Sequence, residues 1–321
     1  MKNSNFWITW NNSTRSQELS KEFDLRLLNF DTGTPPFQRH FSASFATIFS
    51  LIRYRPKKII CQYSFLLLVI LKIYKTIFRN TKILADCHNK ALKRSINLPF
   101  VNSIFWATKK WSFRGIEGII ITNQGLYWFA EKLNTNVYIL SDPIPDFSTP
   151  LYQPSNDGSK KVVFISSFAK DEPHDLVINT ANRLQSINFF ITGSPPRSFL
   201  KKDISGNITL TGLLDEQEYI KLLLEADTIL SLSTEKEILQ CSTYEAISLE
   251  KPTIVADSDT ARNTFRECVI YSHLSIEDLI KSIEYSFKHA TSLQAKTRAF
   301  KAEYRYKFNS MARPIRSIII A

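Results

Sequence analysis

Short apolar runs that alternate with helical stretches constrain this chain more than any other feature. Asn5–Trp10 is apolar and leads through a polar loop to a helix over Gln17–Phe23 and a strand over Leu25–Asn29. After a Pro35-Pro36 loop come a helix near Ser42–Arg53, a strand over Lys58–Gln62, a helix over Ser64–Phe78 and a strand over Lys82–Asp86. Strand Gly118–Thr122, helix Leu126–Leu133 and strand Asn136–Leu140 close this series. Such alternation implies a parallel, doubly wound sheet, because parallel neighbours need a crossover long enough to hold a helix. Asp142-Pro-Ile-Pro then opens a Pro-, Ser- and Asp-rich stretch that runs to Lys160 and reads as a domain boundary. Beyond it the pattern restarts, with strands over Lys161–Ile165, Asn188–Thr192, Ile208–Thr211, Thr228–Ser233 and Thr253–Ala256. Helices over Asp175–Leu184, Glu216–Ala226, 241–249 and Ile276–His289 lie between and after them, and a charged helix over Leu293–Phe308 follows. The expected fold is α/β, with two Rossmann-like doubly wound domains over 1–150 and 151–290. A helical tail over 291–321 is expected to return to the first domain.

The 321 residues suffice for two ordinary domains, and 44% apolar with 22% charged residues is normal for a folded chain. The net charge of +11 is not spread evenly. Leu51–Ile116 holds 14 Lys or Arg against one acid, Asp86, while the rest of the chain holds 27 basic and 29 acidic groups. All five tryptophans also fall in the first half. A basic, aromatic-rich half suits nucleic acid or an anionic membrane surface. No nucleic-acid recognition motif is visible, and the expectation is no nucleic-acid partner. The uncharged run Ile59–Leu71 has 13 residues, short of the roughly 20 that a spanning helix needs. Lys72, Lys75 and Arg79 share one helix face, and Phe105-Trp106 stands near Lys109-Lys110-Trp111, as interfacial anchors do. Four scattered cysteines, without a Cys-x-x-Cys, fit a reducing cytosol and no zinc site. The N-terminal segment is too polar for a signal peptide. These features lead to an expected location in the cytoplasm, peripherally on the inner face of the membrane.

Seven residues separate Glu237 from Glu245. The spacing is weak evidence, since two solvated surface charges would look the same. The frame adds to it: an apolar strand before, Ala246 on a helix, Pro252 ending it and a second apolar strand after. A strand-to-helix turn at a parallel sheet's C-terminal edge presents backbone N–H groups to an anion such as a diphosphate. With this frame the chain resembles the GT-B nucleotide-sugar glycosyltransferases, whose family 4 members carry Glu, seven residues, Glu-Ala, then a Pro-led strand. Ser166–Glu172, Asn188–Gly193 and Leu213–Asp227 look like their donor domain. The resemblance implies that Glu245 holds the ribose hydroxyls and that Glu237 lies near the donor sugar. It implies that Gly193, Gly212 and Leu213 line the nucleotide site. Gln240, Cys241, Ser242 and Thr243 would offer N–H or side-chain donors to the diphosphate.

The pattern also departs from that family. Ser167 and Glu172 stand where many members carry the Arg and Lys that neutralise the leaving diphosphate, so compensation is sought from Arg15, Lys170 or Arg197. Glu250-Lys251 replaces the usual Gly before the Pro-led strand. In the first half, Asp86-Cys87-His88-Asn89 ends a strand, and Asp86 or His88 is a candidate base for an acceptor hydroxyl. The histidines show no metal-ligand spacing, so no metal is expected, and Asp257-Ser258-Asp259 reads as a helix cap or substrate contact. The expected function is transfer of a hexose from a UDP- or GDP-type donor to a lipid-linked or polysaccharide acceptor in cell-surface glycan synthesis, without a further cofactor. The alternatives are a sugar-nucleotide 2-epimerase of the same fold and a nucleotide-sugar-binding protein without turnover.

Overall fold

The computed structural model describes residues 5–31, 36–87, 92, 99–147, 158–200 and 204–320. The chain divides into two compact units, Met1–Pro143 with Lys307–Ala321, and Ile144–Tyr306. The division falls a few residues before the expected 150. The closing helix is divided between the units at 306/307, with Lys307–Ala321 in the first.

The first unit is built on strands β1 (Asn5–Thr9), β2 (Arg26–Asn29), β3 (Lys58–Gln62), β4 (Lys82–Cys87), β5 (Gly118–Ile121) and β6 (Val137–Ile139). They form one sheet in the order β2-β1-β3-β4-β5-β6, with every pair parallel. Its helices are α1 (Thr14–Glu22), α2 (Pro36–Tyr54), α3 (Phe65–Ile77), α4 (Pro99–Phe113) and α5 (Tyr127–Glu131). Right-handed crossovers put α1, which steps one way along the sheet, on one face. The same rule puts α2 to α5, which step the other way, on the opposite face. Side chains alternate along each strand accordingly. Phe6, Ile8, Ile59, Cys61, Ile83, Ala85, Ile119 and Ile121 share a core with Leu67, Leu68 and Leu71 of α3. Full burial of each such leucine stabilises the fold by about 2 kcal/mol. Trp7, Thr9, Ile60, Leu84, Asp86 and Ile120, the alternate positions, are buried on the α1 face.

The second unit carries β7 (Lys160–Phe164), β8 (Ile187–Thr192), β9 (Ile208–Gly212), β10 (Thr228–Ser231), β11 (Thr253–Ala256) and β12 (Ile270–Ser272). They pair in parallel in the order β12-β11-β10-β7-β8-β9. The helices are α6 (His174–Arg183), α7 (Glu216–Glu225), α8 (Cys241–Ser248), α9 (Asp259–Phe265), α10 (Ile276–Lys288) and α11 (Ala290–Ile320). Val162, Phe164, Phe189, Ile191 and Leu230 face a core with Val177 of α6 and Leu279 and Ile283 of α10. Val163 and Ile229 face Leu223 and Ala246 on the other side. Asp215 and Glu218 close α7 with a reciprocal capping box. Asp257-Ser258-Asp259 resolves as a cap: the Ser258 hydroxyl accepts from Ala261 N–H, and Asp257 pairs with Arg262. The expected two-sheet α/β architecture is therefore present, with β12 and α9 added.

Candidate functional site

In the second sheet the chain steps one way from β7 to β8 and β9, and the other way from β10 to β11 and β12. The strand order thus reverses between β7 and β10, which leaves a crevice at their C-terminal ends. Two loops border it, 165–173 after β7 and 232–240 after β10. Asp171 ties them together: its carboxylate accepts from the Ser233 hydroxyl at 3.0 Å, and its carbonyl accepts from Thr234 N–H at 2.8 Å. The second loop delivers the chain to α8. The Ser231 hydroxyl at the end of β10 bonds the Ser242 and Thr243 hydroxyls at 2.7 and 2.8 Å, seating the first turn of the helix on the strand. Ser242 and Thr243 are buried there, and the Thr243 N–H donates to Gln240 O at 3.1 Å. The N-cap residue Gln240 makes no side-chain cap, and its amide donates instead to Leu232 O at 2.9 Å. The positive end of α8 therefore meets the crevice without a capping side chain, as an anion site requires.

Glu245 lies one turn into α8, and its Oε2 accepts from the Tyr219 hydroxyl of α7 at 2.5 Å. Burial and the Glu245 charge both push the Tyr219 phenol above its ordinary pKa, so it stays a donor and fixes the carboxylate's direction. Glu237 is half-buried in the loop before α8. Gly212 ends β9 at φ +70° with open space around the position of a Cβ, and the next residue, Leu213, is 82% exposed. Gly193 ends β8 at φ +89°, where a Cβ would stand 2.4 Å from Ser166 O; only glycine lets β8 come that close to the 165–173 loop. On the other side of the 232–240 loop, a cleft of about 210 Å³ reaches Asp257, Ser258 and His273.

Within the 165–173 loop, Glu172 is the resident anion. Its carboxylate accepts from Ser167 N–H at 3.1 Å, Ala169 N–H at 3.0 Å, the Ser166 hydroxyl at 2.8 Å and the Ser167 hydroxyl at 3.0 Å. Burial raises its pKa, but hydrogen bonds from His174, Ser166 and Ser167 outweigh that and leave it below the usual value. His174 is held in place by the Ser166 hydroxyl at 2.8 Å and a stack on Phe168, whose ring lies 4.6 Å away and 4° from parallel.

No family model and no curated protein sequence matches the chain. Solved structures do. HepE of Anabaena, solved in complex with UDP-glucose, superposes with a TM-score of 0.70 at 12% identity over 97% of this chain and 91% of its own. A glycosyltransferase from Rickettsia africae gives 0.68 at 14% identity over 97% and 88%. A putative UDP-N-acetylglucosamine 2-epimerase from Listeria monocytogenes gives 0.54 at 10% identity over 92% and 82%. The chain has the GT-B fold.

The two units of this GT-B chain dispose of the remaining expected residues differently. Arg15 belongs to the first unit and is buried. Its guanidinium donates to Asp86 on both oxygens, at 3.0 and 2.8 Å, to Leu140 O at 2.8 Å, and to Asp142. Burial lowers its pKa, but the two carboxylates more than offset that and hold it above the ordinary value. The cluster joins α1, the end of β4 and the segment after β6. A carboxylate engaged in this way is an ion-pair partner, not an open base, and the guanidinium is not offered to a phosphate. His88 lies outside the described residues. Among the described residues no group of His, Cys, Asp or Glu could hold a metal ion, and no helix is long and apolar enough to cross a membrane. Tyr219 and Asp171 were not foreseen. The helix expected over Glu216–Ala226 contains Tyr219, but only the pairing of β10 with β7 brings α7 beside α8.

Proposed function

We propose that this GT-B chain is a glycosyltransferase that moves a hexose from a nucleotide-diphosphate sugar to a lipid-linked or polysaccharide acceptor in cell-surface glycan synthesis. One arrangement carries the reading: a carboxylate oriented by Tyr219 on the same helix whose N-terminus opens on the switch-point crevice. That pairs a diol acceptor with an anion site. In this reading Glu245 holds the ribose hydroxyls, Glu237 the donor sugar, and the first turn of α8, from Gln240 to Thr243, the diphosphate. Gly212 and Leu213 lie against the base. Catalysis comes from positioning and from stabilising the departing phosphate, with no further cofactor. Since Asp86 is tied to Arg15, His88 is assigned to take the acceptor's proton. The site works at the inner face of a membrane, where a lipid-linked acceptor is presented. UDP-glucose in HepE supports a uridine donor first.

A thermal-shift screen with UDP-, GDP-, CMP- and dTDP-sugars tests this. One nucleotide class is expected to raise the melting temperature. Glu245→Ala is expected to weaken that ligand about tenfold or more, since hydrogen bonds to a charged group contribute about 1.5–3 kcal/mol. If no nucleotide stabilises the wild type, the donor site is misassigned. The epimerase reading has a fold neighbour in its favour. It calls for an epimer from UDP-N-acetylglucosamine with no acceptor present. Glu172 in the 165–173 loop favours a third outcome, nucleotide binding without UDP or GDP release.

A further inference from the structure

The helices that cover the first sheet carry large apolar side chains on both sides. α2 buries Ala43, Thr47 and Leu51. Its opposite side exposes Phe41 (62%), Phe45 (60%), Phe49 (66%) and Ile52 (64%). The spacing i, i+4, i+8, i+11 makes these one stripe along three turns. α3 packs beside α2 and exposes Ile73 and Ile77; α4 packs beside α3 and exposes Phe100 and Ile104. All three helices lie on one face of the sheet, so their outward stripes point the same way. Single exposed apolar residues are ordinary, whereas large contiguous apolar patches mark interaction sites.

Charge selects the occupant. None of the three helices contains an Asp or Glu. Where α2 and α3 end, Arg55, Lys57 and Arg79 are exposed and line a shallow cavity of about 490 Å³ together with Ile77. Cations at helix C-termini complement the helix dipole, yet a dipole does not call for a cavity with an apolar rim. Two of the lysines that sequence pointed to are committed elsewhere. Lys75 pairs with Glu117 at 2.7 Å, and Lys72 donates to Arg114 O. Two copies of this face would set cation against cation, which disfavours self-association. An amphipathic helix with aromatic tips and flanking cations fits an anionic lipid surface, its apolar side about 5–10 Å into the headgroup boundary.

We propose that α2 lies in the plane of a membrane, with Phe41, Phe45, Phe49 and Ile52 inserted in one leaflet and Arg55, Lys57 and Arg79 on lipid phosphates. This deepens the membrane-side part of the proposed function and rests on it for its purpose. Its test involves no donor or acceptor, so failure here leaves the transferase reading standing, and failure of the nucleotide screen leaves this one standing. The full chain is spun with vesicles of phosphatidylcholine alone and with 30% phosphatidylglycerol, at low and high salt. Binding to the anionic vesicles only, weakened by salt, is expected. Phe45→Ser/Phe49→Ser is expected to weaken it at least tenfold with an unchanged melting temperature, since both side chains are exposed. Arg55→Glu/Lys57→Glu is expected to weaken it by about fivefold or more per cation. Absence of binding to anionic vesicles overturns the proposal, as does equal binding by the Phe45/Phe49 variant. A wild-type dimer in sedimentation equilibrium that the same variant dissociates would show the stripe to be an interface between copies, which also overturns it.

Discussion

At the scale of single residues, the 165–173 loop is held by an acid where many members of the resembling family carry a basic residue. Glu172 collects two backbone N–H groups and two hydroxyls, so the loop carries its own anion. Removing a buried acceptor strands its donors, at about 1–3 kcal/mol. Glu172→Ala is expected to cost about that much in urea unfolding at neutral pH. Because the folded pKa is lowered, the carboxylate's contribution is present above the ordinary glutamate pKa and is lost as pH falls through the lowered one. The gap between wild type and Glu172→Gln should therefore close in acid; a gap independent of pH would sink the idea. Arg15 offers the sharper case. Arg15→Met would leave Asp86 and Asp142 buried without their cation, a loss of about 3–5 kcal/mol. A variant that unfolds at the wild-type urea midpoint would show the cluster to be dispensable.

At the scale of elements, the β8–loop contact is the tightest constraint on the crevice. Gly193→Ala puts a Cβ onto Ser166 O and a side chain at φ +89°, a conformation that costs a non-glycine residue about 1–3 kcal/mol. It is expected to lower the melting temperature and to weaken nucleotide binding together, because the 165–173 loop must move; unchanged binding would separate that loop from the site. Elements with a strong local pattern were legible in the sequence. α8 stood out because two apolar strands and Pro252 frame it. Others were not. β12 has three residues, too few for a period to show. α2 begins at Pro36, which was read as loop, though proline is well suited to a helix's first turn.

At the scale of the molecule, the first unit is completed by the far end of the chain. Phe308, Ala312, Ile315 and Ile319 are buried at helical spacing in the segment that belongs to that unit, and Arg316 reaches Glu22 at 3.0 Å. Deleting 307–321 is expected to expose the apolar side chains of the α1 face. Calorimetry should then show an earlier transition, and dye binding should rise. A single unshifted transition would mean the segment adds nothing to the first unit.

Sequence by itself determined the architecture. Period, proline and turn residues act locally, and parallel pairing follows from helix-length crossovers, so two doubly wound sheets could be read along the line, with a boundary expected at 150, a few residues past the division after Pro143. It also marked Glu245, because a strand–helix–proline frame is contiguous. Tertiary structure alone decided what each charged group faces. Arg15 meets Asp86 and Asp142 across 71 and 127 residues, Tyr219 meets Glu245 across 26, and the Ser242 and Thr243 hydroxyls turn to a strand. The same holds for the basic half. Composition located its charge, but only packing shows which lysines are already paired and that Phe41, Phe45 and Phe49 stand exposed on α2. A side chain's partners depend on which elements the sheet order makes neighbours, and that order is not written in any local pattern.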